Sequence, residues 1–241
     1  MLRVRLAEHG SAERADGERR YLRSDLVHLG VRLPVLRRIT RRFVDELQLG
    51  SSQRVALAEE LWQAPVYELR QAAVQVLVTV CEELDATHLP LIERLVRQSR
   101  TWALVDPLAT TVTGSILRRH TEAHPVLDRW IADPDFWVRR AALLAHLGPL
   151  RAEPGPETFA PFAAHADRTL DEREFFIRKA IGWVLREAGK RDPALVTGWL
   201  APRTQRASGV TMREAVKYLP ADDAERLMRA YRNRAPAAAP R

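Results

Sequence analysis

In the stretch Arg100-Thr-Trp-Ala-Leu-Val-Asp106, an indole and a carboxylate lie four residues apart. On an α-helix this spacing puts Trp102 and Asp106 on one face, about a turn apart. A helix that buried this face would favour Leu or Ile at position 106, because an unpaired carboxylate is costly away from water. The pattern therefore predicts that Asp106 lines a groove. There, beside an electron-rich ring, it could stabilise a developing positive charge. A plainer reading stays open, in which Asp106 serves the helix macrodipole, Pro107 occupies the first turn and Trp102 packs in the core.

The elements that must position these residues read as helices throughout. Apolar residues recur at helical spacing over 55–62, 66–81, 91–96, 105–119, 123–132, 137–147, 161–166, 175–187, 193–200, 210–219 and 222–231, and no segment alternates as a strand does. Near the N-terminus, a short helix followed by a break at 10–17 is expected. The run from Tyr21 reads as helix, tight turn, helix, with Gly30 ending one helix and Pro34 opening the next.

Four of these helices share a pattern: Tyr67-Glu-Leu-Arg70-Gln-Ala-Ala, Trp137-Val-Arg139-Arg140-Ala-Ala, Phe176-Ile-Arg178-Lys179-Ala-Ile and Thr211-Met-Arg213-Glu-Ala-Val. A period of about 35 to 40 residues is typical of stacked helical hairpins. The expected fold is all-α, a solenoid of HEAT-like antiparallel helix pairs whose concave groove is lined by arginines. Where the missing repeat should supply its arginine, the chain has Val105-Asp106. One acid thus sits in a ladder of bases, which suits a protein that holds a polyanion while stabilising a cationic centre. Trp102, Trp183 and Tyr21 fall near the same helix ends and could stack on sugars or bases, whereas Trp62, Trp130 and Trp199 lie at core spacing.

Composition bounds the alternatives. The 241 residues carry a net charge of +7, and Lys179, Lys190 and Lys217 are the only lysines. A basic, arginine-rich chain suits phosphate, because the guanidinium fork is planar and bidentate. One domain over residues 1–233 and a disordered Pro/Ala-rich tail at 234–241 are expected. With no apolar run of membrane-span length and no secretory leader pattern, a cytoplasmic monomer is expected. The lone Cys81 excludes disulfides within the chain and reads as a small core residue. No phosphate loop, dinucleotide turn, zinc-protease helix or nucleophile elbow is present. The histidines lack metal-ligand spacing, and His28, His88, His120, His124, His146 and His165 read as surface or turn residues. Neither a metal nor a cofactor is expected.

Several stretches together resemble the AlkD-type DNA alkylation-repair glycosylases: His28-Leu-Gly-Val-Arg-Leu-Pro34, Glu60-Leu-Trp-Gln-Ala-Pro65, Trp102 to Asp106, Trp137-Val-Arg-Arg-Ala-Ala, and above all Glu174-Phe-Phe-Ile-Arg-Lys-Ala-Ile-Gly-Trp-Val-Leu-Arg-Glu187. The resemblance implies a monofunctional glycosylase that removes N3- or N7-alkylated purines from double-stranded DNA without drawing the base into a pocket. It makes Asp106 the catalytic carboxylate, Trp102 and Trp183 its aromatic companions, and Tyr21 a groove-edge aromatic. It also makes Arg140 a DNA contact, one residue from the Arg139 that the repeat pattern selects. Arg178, Lys179 and Arg213 complete the expected DNA contacts. The rival reading is a non-catalytic HEAT-repeat scaffold for DNA or a protein.

Overall fold

The computed structural model describes residues 1–234, and the remainder of the Pro/Ala-rich tail, expected to be disordered, lies outside them. All regular elements among the described residues are helices, and the only extended pairing is an isolated parallel bridge between Val27 and Val66. The chain divides into two compact units, Met1–His120 and a second from Thr121 onward.

The first unit holds α1 (Leu2–Ala7), α2 (Ala12–Leu22), α3 (Leu33–Leu47), α4 (Ser51–Gln63), α5 (Tyr67–Thr79), α6 (Leu89–Ser99), α7 (Trp102–Pro107) and α8 (Gly114–Arg119). Three residues join α4 to α5, and the two pack along their lengths, so they form a hairpin. The α5 helix also takes α3 and α7 against its other sides. Its Ala72, Ala73, Val74, Val76 and Leu77 are fully buried, and Trp62, Leu36, Ile92, Leu104 and Leu108 fill the surrounding core. Each such large side chain contributes roughly 1.5–3 kcal/mol by leaving water.

The second unit contains α9 (His124–Trp130), α10 (Phe136–Ala145), α11 (Leu147–Ala152), α12 (Pro156–Thr169), α13 (Phe175–Gly189), α14 (Pro193–Leu200), α15 (Gly209–Ala215) and α16 (Ala221–Arg232). The helices that carry the repeated motif pack in series, α10 on α13 and α13 on α15. Small residues make the second contact close: a Cβ added at Gly182 would stand 2.7 Å from the Cβ of Glu214.

Three expectations are corrected. The α2 helix runs through Gly17, so the expected break at 10–17 is confined to its start, where Ser11 caps the helix by accepting from the Arg14 amide. Residues 24–32 are not helical. Their amides find partners elsewhere: Leu29, Gly30 and Val31 donate to the buried Glu68 carboxylate at 2.9, 2.7 and 3.2 Å, and Val27 pairs with the backbone at Pro65 and Tyr67. Gly30, at φ +74°, belongs to this loop rather than to a helix end. Finally, His146 and His165 are buried, not surface residues.

Candidate active site

The α7 helix begins at Trp102 because Thr101, in extended backbone, turns its hydroxyl to accept from the Ala103 amide. Trp102 is left 37% exposed, and the exposed Tyr21 at the end of α2 meets it edge-on, ring centroids 6.2 Å apart at 87°. Asp106 lies one turn on and is partly exposed.

Pro107 then removes an amide from the helix, so the Ala103 carbonyl has no donor four residues ahead. Gln71 of α5 fills the gap: its amide nitrogen donates to Ala103 O at 3.2 Å and to the Tyr67 hydroxyl at 2.7 Å. Immediately beyond, Leu108–Thr113 widens to a π-helical turn, with the Thr113 hydroxyl donating to Leu108 O at 3.0 Å. Such turns are uncommon and are found often at functional sites.

Tyr21, Tyr67, Gln71, Trp102, Leu33 and Pro107 border a hollow of 350 Å³. Its floor is fixed from behind. Tyr67 stacks on the His28 ring at 4.4 Å and 14°, and His28 Nδ1 lies 3.4 Å from Glu18. Burial, first of all, pushes the Tyr67 hydroxyl well above the usual phenol range, so it stays neutral. Glu18, His28 and Glu68 bring possible ligand atoms within 4.8 Å of one another, the one such trio among the described residues. The Glu68 oxygens already accept from three amides, so this cluster is built to hold the 29–31 loop.

In the second unit Trp183 is half-buried on α13. The expected DNA-contacting cations there differ sharply in their surroundings. Arg139 grips Glu172 through Nε and Nη2 at 2.9 and 2.8 Å. Arg140 is 3% exposed, donates to Phe176 O at 2.6 Å and lies 5.6 Å over the Phe176 ring. Lys179 pairs with Glu214 at 2.8 Å. Arg178 donates through Nε to Glu172 O, and Arg213 is exposed. Burial alone would push the Glu214 carboxyl up, yet Lys179, Lys217 and Arg186 around it outweigh that and hold it at about 2.

Sequence reasoning passed over Glu172, Glu214 and Gln71. For Glu214 a signal existed: it occupies in Thr211-Met-Arg-Glu the place that Lys179 occupies in Phe176-Ile-Arg-Lys, so opposite charges at one register of adjacent repeats meet.

Residues 2–219 match the family model described as DNA alkylation repair enzyme. The chain belongs to that family. Among solved structures, a predicted DNA alkylation repair enzyme from Enterococcus faecalis is similar at 22% identity over 88% of this chain and 98% of its own, with a TM-score of 0.76. AlkD2 from Streptococcus mutans matches at 21% identity over 75% of this chain and 88% of its own, with a TM-score of 0.57. The protein smu.31 from Streptococcus mutans UA159 matches at 20% over 78% and 93%, with a TM-score of 0.58. At these identities the likeness establishes a shared all-α fold. No curated protein matches the chain. Family membership makes this an enzyme of DNA repair. No helix among the described residues is long and apolar enough to cross a membrane.

Proposed function

We propose that the protein is a monofunctional glycosylase that hydrolyses the N-glycosidic bond of N3- or N7-alkylated purines in duplex DNA, leaving the base outside any enclosing pocket. The observation that carries this reading is the pairing of an exposed Trp102 with Asp106 one turn later on α7, in a chain of the alkylation-repair family.

The chemistry follows from charge. An N3- or N7-alkylated purine is cationic, so when the bond to C1′ breaks its electron pair leaves with the base, which departs neutral. Protonation of the leaving group is therefore not required. The deficit moves to the sugar, which becomes oxocarbenium-like. Asp106 stabilises that cation and accepts a proton from the water whose oxygen bonds to C1′. The face of Trp102 adds a further electrostatic contribution of about 0.5–2 kcal/mol. The reaction balances with water alone.

Trp183 is assigned the role of a second aromatic toward the sugar, and Tyr21 that of an edge contact. Arg213 is assigned a direct phosphate contact in the second unit, and Arg178 one through the guanidinium nitrogens other than the Nε that holds Glu172 O. Arg139, Arg140 and Lys179 are already engaged, so for them to touch DNA they must share or exchange partners, and their substitution also perturbs packing. A HEAT-like stacking of motif helices is part of the same reading.

The test is base release from duplexes carrying N7-methylguanine, N3-methyladenine or a bulky N3-adenine adduct, read as alkali-labile sites. Release from at least one cationic lesion, with none from undamaged purines, is the expected result. DNA binding with no release from any of the three would leave a non-catalytic scaffold.

A further inference from the structure

The first unit has a second cleft, of 450 Å³, which Thr101 also lines, bordered by four arginines, Arg23, Arg70, Arg97 and Arg100, and a single carboxylate, Asp25. Their states differ in a way that points to a ligand. Arg97 is paired with Glu93 at 2.6 Å. Arg70 is pre-aimed: its guanidinium lies 5.1 Å over the Trp62 ring, Nη1 donates to Gln98 O at 2.9 Å, and its Nε is buried without a partner. Burial disfavours its charge, and no carboxylate among the described residues compensates it.

Arg23 and Arg100 carry the stronger signal. They follow the last residues of α2 and α6 with φ of 49° and 48°, two of the three non-glycine residues with positive φ among those described. Glycine occupies such positions without strain and is the usual choice after a helix, whereas arginine is strained there. Neither Arg23 nor Arg100 makes an ion pair or side-chain hydrogen bond among the described residues that would account for its retention. Two strained, unpartnered arginines thus face one cleft with a third that is half-buried and partly unsatisfied, and strained backbone of this kind concentrates at ligand sites.

We infer that this cleft binds the phosphodiester next to the nucleotide held at Trp102, with Arg23 and Arg100 as its principal donors and Arg70 as a fixed third. The inference rests on the proposed DNA reading of α7. Arg100 is two residues from Trp102, at most about 7 Å along the chain, which is within one nucleotide step. A planar fork satisfies two phosphate oxygens at once, which is what three convergent guanidinium groups supply.

The experiment uses the full-length protein and the double variant Arg23→Gly/Arg100→Gly, which relieves backbone strain while deleting both charges. Its Tm should equal the wild type's or rise by up to about 2–4 °C. Its affinity for undamaged duplex should fall by on the order of tenfold or more, and the slope of log K against log salt should shrink by about 1.8. In a second arm, methylphosphonate replaces, one at a time, the phosphates flanking an N7-methylguanine. One substitution should weaken wild-type binding strongly and the variant's hardly at all. An unchanged salt slope, or equal sensitivity of both proteins to every methylphosphonate, overturns the inference. So does stabilisation of the wild type alone by inorganic phosphate with DNA binding unaltered, since that marks a free-anion site. If wild type releases no base yet the slope and methylphosphonate results hold, the glycosylase reading fails and the cleft stands. If release proceeds and they do not hold, the reverse is true.

Discussion

Gln71 of α5 ties down α7 by a side-chain hydrogen bond, and its removal gives a prediction with an internal control. Its amide nitrogen serves two acceptors, the Tyr67 hydroxyl and the Ala103 carbonyl that Pro107 leaves without a helical donor, and the side chain is 6% exposed. Gln71→Leu keeps the volume and removes both bonds. A lost neutral hydrogen bond is worth about 1 kcal/mol, and an orphaned, partly buried carbonyl adds about 1 more, so a cost of about 2 kcal/mol is expected. At about 2–4 °C per kcal/mol, Tm should fall by about 4–8 °C. Because Trp102 opens the helix that Gln71 secures, base release should slow as well, with its half-saturating protein concentration rising. The control is Pro107→Ala, which restores an amide four residues beyond Ala103. In that background Gln71→Leu should cost about 1 kcal/mol less. Thermal unfolding of the four proteins in a double-mutant cycle provides the assay. If the two substitutions are additive to within about 0.3–0.5 kcal/mol, Gln71 does not serve the proline gap and the account of α7 is wrong.

Three further predictions concern the second unit. Burial, before any other influence, holds His146 well below its ordinary range and lowers His165, which donates to or accepts from His146 at 2.9 Å and meets Asp128 at 2.8 Å. Both folded values lie below the unfolded one, so the unfolded chain binds more protons and stability is lost as pH falls below about 6.5. His146→Leu should flatten the drop in Tm between pH 7.5 and 5.5, and an equal drop in both proteins would refute the assignment. Glu214 behaves oppositely in origin but with the same sign: its depressed carboxyl stabilises the fold above pH 4.5, a contribution that solvent screening of the exposed lysines reduces and that is lost as pH falls toward 2, and Glu214→Gln should remove that acid dependence in calorimetry. At Gly182, alanine would meet Glu214 Cβ at 2.7 Å and Thr211 O at 3.1 Å. Gly182→Ala should therefore destabilise by about 1–2 kcal/mol despite the roughly 1 kcal/mol that alanine gains in helix propensity, and a raised Tm would show that α13 and α15 separate freely.

Periodicity made the helices and most of the core readable in the sequence. Trp62 and Trp130, spaced among leucines and valines, are 1% exposed, and the Trp102-to-Asp106 stretch is a helix start as its spacing implied. What escaped were features decided by partners distant in the chain. The 24–32 segment has a helical look, but its amides are claimed by Glu68, more than 35 residues later. His146 and His165 read as surface residues because nothing local shows that each satisfies the other, with Asp128 closing the chain. Arg139 and Lys179 read as free cations because their carboxylates, Glu172 and Glu214, arrive one repeat away. The Gln71 bridge was hidden for the same reason, since a proline's missing amide is visible in sequence and the donor that replaces it is not.

The measurement that bears most directly on the central claim is single-turnover base release from an N7-methylguanine duplex by Asp106→Asn, with saturation confirmed by binding. An amide keeps the size of the carboxylate and removes its charge, so affinity should hold within about twofold while the rate falls on the order of a hundredfold or more. A wild-type rate in that variant would contradict the claim that the Asp106 charge stabilises the sugar cation.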